Sequence, residues 1–209
     1  MDAHEVAPDK KEGRVGQWMH TSLGGRFFPA DPRPEEVFIS DIANGLALDC
    51  RYAGQGRTDR YYSVAEHCVL MTRYAQNYGW PLKVSLAVLL HDAAEAYIND
   101  LAWPAKAAVG TTYAELEKNI QVAIWDKFKV NSALLVSWAE TIKELDCRMI
   151  TLEKAVIMAH LQPWAHDKFV APEGITIQCW NPCEAKKRFL EIYEEICLRG
   201  GFPIEGYEL

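Results

Sequence analysis

Four residues carry metal-binding groups from within apolar, helix-forming stretches: His67, His91, Asp92 and Asp146. Two imidazoles and two carboxylates suit a borderline or hard divalent ion such as Mn²⁺, Co²⁺, Fe²⁺, Zn²⁺ or Mg²⁺. His91 and Asp92 close the apolar run 84–90. There a carboxylate and an imidazole are costly to desolvate unless something pairs with them, and a metal ion is the usual partner. Adjacent residues on a helix point about 100° apart, so this pair shares an ion only near a helix end or with one long bond. Glu95, four residues after His91 and three after Asp92, falls on their face of the same helix.

The elements that must position these groups follow from periodicity and caps. Apolar residues at helical spacing predict a helix from Ser40 or Asp41, either of which can cap it, to about Cys50. Ser63 followed by Glu66 is a capping-box pattern and opens a helix carrying His67. Pro81 opens a third, which carries His91, Asp92 and Glu95 and fades near Tyr97, with a loop over 99–104. A fourth is expected over 112–128. A long fifth, capped by Ser132, carries Asp146 and, seven residues on, Glu153 on a similar face. Residues 163–182 interrupt the pattern, with short strands expected at 168–171 and 175–180, before an amphipathic helix over 182–198. The fold class is all-α, a helical bundle around a central site with an irregular or β excursion near the C-terminus. Gly and Pro over 18–34 predict turns and a short hairpin.

At 209 residues the chain fits one domain, read as 18–209 after a polar, flexible leader over 1–17. A net charge of −7 disfavours long nucleic acid as a partner and leaves room for a small anion held by local cations. The six cysteines are scattered among helical patterns without a secretory run, which predicts reduced thiols and a cytoplasmic protein. The run 84–90 is too short to span a bilayer.

S-V-A-E-H at 63–67, L-L-H-D-A-A-E-A at 89–96, N-D-L at 99–101 and E-L-D at 144–146 resemble the motifs of the HD-domain metal-dependent phosphohydrolases. The resemblance covers about residues 40–154. Within that superfamily the chain is similar to bacterial 5′-deoxynucleotidases of the YfbR type and, equally, to phage enzymes that hydrolyse deoxyadenosine triphosphate. The resemblance implies His67, His91, Asp92 and Asp146 as ligands of a divalent metal and Glu95 as the catalytic carboxylate. It places Arg51 and Lys106 on substrate phosphate, Tyr52 against sugar or base, and Asp100 in the loop beside the site. Relatives usually carry Trp where this chain has Tyr52, so base and sugar selectivity do not carry over. The expected activity is release of phosphate from deoxynucleoside monophosphates by a homo-oligomer. A triphosphohydrolase is the alternative, and a nucleotide-binding module without turnover is a second.

Overall fold

The computed structural model describes residues 13–57 and 59–204. The described residues form α1 (Ile39–Leu48), α2 (Val64–Asn77), α3 (Leu82–Leu89), α4 (Glu95–Ile98), α5 (Trp103–Val109), α6 (Thr111–Lys127), α7 (Ser132–Ile157) and α8 (Pro182–Gly200). A small antiparallel hairpin, β1 (Met19–His20) and β2 (Arg26–Phe27), precedes them. The all-α expectation holds, and so does the hairpin.

The core forms where α1, α2 and α3 converge on α8. Ile42, Leu46, Val64, Met71, Leu86, Leu89, Phe189 and Ile196 are all buried there. Each such side chain removed from water contributes about 1.5–3 kcal/mol before entropy is counted. A smaller cluster of Tyr62, Ile157 and Ile177 closes the far end of α7.

α1 approaches α4 so closely that a Cβ on Gly45 would lie 2.5 Å from the Ala96 carbonyl oxygen. Backbone cannot yield as a flexible side chain can. Gly45→Ala is therefore expected to cost about 1–3 kcal/mol, read as a lower melting temperature, despite alanine's better helix propensity. An unchanged or raised melting temperature would show that the two helices part easily.

Several sequence expectations are corrected. Neither Ser40 nor Asp41 caps α1; Asp41 instead accepts from Ser22 Oγ at 2.6 Å and Leu23 N at 2.9 Å, tying the hairpin to the helix. Asn131, not Ser132, caps α7 by accepting from Leu134 N. α5 occupies part of the stretch read as loop. Of the leader expected over 1–17, residues 1–12 lie outside the described residues. Arg14, within it, is anchored: it donates to Asp31 and Glu36 and lies 4.0 Å over the Phe28 ring.

The strands expected at 168–171 and 175–180 do not form among the described residues; the segment holds only a 3-10 turn at Ala165–Lys168. For 175–180 the reason lies in α2. Ser63 accepts from Glu66 N at 3.1 Å, one half of the capping box. The Glu66 side chain does not return the bond. It accepts instead from the amides of Gln178, Cys179 and Trp180, at 2.7, 3.0 and 2.7 Å. Three successive donors pointing at one carboxylate leave none for a ladder there, and Cys179 turns to φ 55° to make this geometry.

Candidate metal centre

α3 ends at Leu89, and the chain runs through turns over 90–94 before α4 begins at Glu95. His91 and Asp92 therefore sit in a helix break, the circumstance in which neighbours can face one point. No Gly or Pro makes this break. Gln121 of α6 supports it from the side. Its Nε2 donates to the Leu90 carbonyl at 2.8 Å, and its Oε1 accepts from Ala94 N at 3.1 Å, satisfying backbone groups that flank the turns.

His67 Nε2 lies 3.4 Å from His91 Nε2, 3.5 Å from Asp146 Oδ1 and 3.8 Å from Asp92 Oδ2. His91 Nε2 is 3.2 Å from Asp92 Oδ2. Both rings are committed at their other nitrogen. His91 Nδ1 donates to the Val88 carbonyl at 2.7 Å, and His67 Nδ1 donates to Glu153 at 2.5 Å. Those acceptors carry no proton, so each Nδ1 holds one, and each Nε2 offers a lone pair when its ring is neutral. With the rings neutral, His67 Nε2 would face the lone pair of His91 and two carboxylate oxygens, an arrangement that a cation relieves. Adjacent ligands around a first-row divalent ion are spaced about 3.0–3.4 Å apart, close to the separations here. The donor set thus fits such an ion, as the sequence reading expects. Side-chain exposure rises from 0% at His67 through 12% at Asp146 to 23% at Asp92, so the cluster opens on the Asp92 side.

The buried side chains surrounding it complete the arrangement. Glu153 is fully buried and accepts from His67, from Tyr62 Oη at 2.9 Å, from Arg51 Nε at 3.2 Å and from Tyr52 Oη. Burial alone would push this carboxyl up, but Arg51, His67 and Tyr52 hold it at about 2. Glu95 is also buried. Its Oε1 accepts from Lys106 Nζ at 3.3 Å, while Oε2 has no hydrogen-bond partner among the described residues. Burial, with Asp92 and Asp100 nearby, pushes the Glu95 carboxyl well above its ordinary range, against the pull of Lys106 and Arg51. A buried carboxylate oxygen without a donor is the feature expected beside a site that takes water or an ion.

The remaining expected site residues are placed as follows. Arg51 lies at the cluster, with Nη1 3.4 Å from Asp92 Oδ2. Tyr52 spends its hydroxyl on Glu153 and its ring lies 5.7 Å from Trp164, behind the ligands. Lys106 is bracketed by Glu95 and by Glu117 of α6, the latter at 2.9 Å. Asp100 donates its amide to Asp49 Oδ2 at 2.5 Å, and its carboxylate adds negative field at Glu95.

Sequence reasoning passed over Lys143, whose Nζ lies 2.6 Å from Asp146 Oδ2 and whose side chain is 69% exposed. The signal was its i, i+3 spacing to Asp146. Gln121, Tyr62 and Glu117 left no such mark. Cys68, His91 and Asp92 also offer atoms within 4.8 Å of one another, as do His67, His91 and Asp146. The Cys68 thiol is pushed up by burial and sits 3.9 Å from the committed His91 Nδ1, the place of a packed hydrophobe.

A scan against protein-family models finds no match. The chain is 34% identical over 179 residues to an uncharacterized protein of Rhodobacter capsulatus, spanning 82% of this chain and 91% of that relative. It belongs to that protein's family. It is also 28% identical over 137 residues to the uncharacterized protein YfdR of Escherichia coli, across 66% of this chain and 70% of the relative. The helical fold and its buried cluster are compatible with an HD-type domain. No described helix is long and apolar enough to cross a membrane.

Proposed function

We propose that this chain is an HD-type metal-dependent phosphohydrolase acting on nucleotides, with deoxynucleoside monophosphates as the favoured substrates. The observation that carries the reading is the convergence of His67, His91, Asp92 and Asp146 beside the unpaired Oε2 of buried Glu95. His67, His91, Asp92 and Asp146 would hold a divalent cation, which would supply Lewis acidity toward a phosphoryl oxygen and lower the pKa of a nearby water. Glu95, held by Lys106 with its second oxygen unpaired, orients that water, takes its proton and returns it to the leaving oxygen. Burial and the neighbouring Asp92 hold the Glu95 carboxyl above its ordinary range, so it keeps a proton more readily than an exposed glutamate does. Arg51 and the exposed Lys143 set positive charge at the edge of the cluster, where a phosphate would lie.

Lys106 bears on monophosphate against triphosphate. Two carboxylates already neutralise it, so it offers less to a distal phosphate than an unpaired lysine would. That favours one phosphate at the metal and keeps the triphosphohydrolase as the second reading.

The test is to incubate the purified protein with Mn²⁺ or Co²⁺ and a panel of deoxynucleoside mono- and triphosphates, measuring phosphate, pyrophosphate and triphosphate released. Orthophosphate from monophosphates is expected. Triphosphate release would move the assignment to the second reading. Tight nucleotide binding with no product from any substrate would leave only the binding module.

A further inference from the structure

Glu153 takes four donors from three parts of the chain, and its two oxygens divide them. Oε1 accepts from His67 Nδ1 at 2.5 Å and Tyr62 Oη at 2.9 Å, both at the metal cluster's buried end. Oε2 accepts from Arg51 Nε at 3.2 Å and from Tyr52 Oη. The four lone-pair directions of one carboxylate are thereby filled by four donors. We infer that Glu153 is a positioning residue that aims His67 and Arg51 at the same point, so that one buried carboxylate sets metal affinity and anion affinity together.

Two further observations support this beyond ordinary burial. The first is where the other ends of the donors go. His67 turns its Nε2 to Asp146 and His91, while Arg51 extends Nη1 to Asp92 at 3.4 Å, so both chains lead from Glu153 to metal ligands. The second is the backbone at the donor segment. Tyr52 and Ala53 adopt φ 61° and 52°, a left-handed conformation unusual for side-chain-bearing residues. The surrounding structure holds that turn in place, and its effect is to bring Arg51 and Tyr52 to one oxygen. A carboxylate needed only to satisfy Tyr62 and the core would not require it.

This inference rests on the metal-site reading, and its test separates the two. Mn²⁺ and Co²⁺ affinity is measured by chelator competition for the wild type, Glu153→Gln, Tyr62→Phe and Tyr52→Phe. The visible spectrum of each cobalt-loaded protein is recorded with and without inorganic phosphate. Glu153→Gln is expected to bind metal about 10–100-fold more weakly, with altered cobalt bands and a reduced phosphate response. Tyr62→Phe, which trims only the Oε1 side, is expected to lose metal affinity severalfold. Tyr52→Phe, on the Oε2 side, is expected to keep metal affinity and weaken the phosphate response. A wild type that binds neither metal would overturn the metal-site reading and this inference with it. A wild type that binds, beside a Glu153→Gln protein of equal affinity and spectrum, would overturn the inference alone. If Glu153→Gln does not fold, the two Tyr variants decide: equal effects of both on metal and phosphate would refute the division of roles.

Discussion

Asp146→Ala is expected to remove bound metal and activity together while leaving the apo fold nearly as stable as before. The expected loss of metal affinity is at least about 100-fold, since even outer hydrogen-bond partners of metal ligands cost 10–100-fold. Two effects add here. One carboxylate ligand disappears from a cluster whose other members are His67, His91 and Asp92. Lys143, bonded to Asp146 at 2.6 Å, loses that partner and leaves an ammonium near a site built for a cation. The fold tolerates the change because the Lys143 side chain is 69% exposed, so water replaces the carboxylate. The apo stability should move by about 1 kcal/mol, the net worth of one hydrogen bond whose surviving partner, Lys143, reaches water. Metal content per chain, the melting temperature of the metal-free protein and phosphate release check the three parts. Full metal content in the variant would take Asp146 out of the site.

Glu95→Gln is expected to do the opposite: metal retained, turnover lost by about 10²–10⁴-fold. The amide keeps the shape but cannot take a proton from water. Stability should hold or rise, because a buried carboxylate pushed up by desolvation and by Asp92 becomes neutral. Lys106 retains Glu117 at 2.9 Å, so it is not left unpaired. A fall in melting temperature with activity intact would instead make Glu95 a scaffold for α5. An unchanged rate would end its catalytic assignment.

The sequence announced some of this site and concealed the rest, for identifiable reasons. His67, His91, Asp92 and Asp146 stand out because each is a ligand type lodged in an apolar helical pattern. Glu153 was visible as a residue two helical turns beyond Asp146, on a similar face. The break after α3 was not legible, since L-L-H-D-A-A-E-A favours helix throughout. What stabilises the break is Gln121, some thirty residues on, whose partners exist only once α6 packs against it. The surroundings of Lys106 were concealed in the same manner, since Glu95 and Glu117 close on it from two sides only once the fold forms. The strand expected at 175–180 did not form because a distant carboxylate, Glu66, takes amides a ladder would need. Local pattern locates ligands; long-range side-chain bonds to backbone decide what the connecting segments become.

α5 leads to a last consequence. It buries none of its side chains, presents Trp103 at 78% exposure, and is bounded by Asn99 at φ 65° and Gly110 at φ 83°. Its Lys106 nevertheless reaches Glu95. Substitutions along this helix disturb little of the hydrophobic core, yet they act at the wall of the site. Natural variation can therefore work on α5 almost free of penalty to the fold, while the ligand helices stay constrained by both packing and chemistry. In such a molecule, the lining beside Glu95 can drift between relatives faster than the buried cluster does.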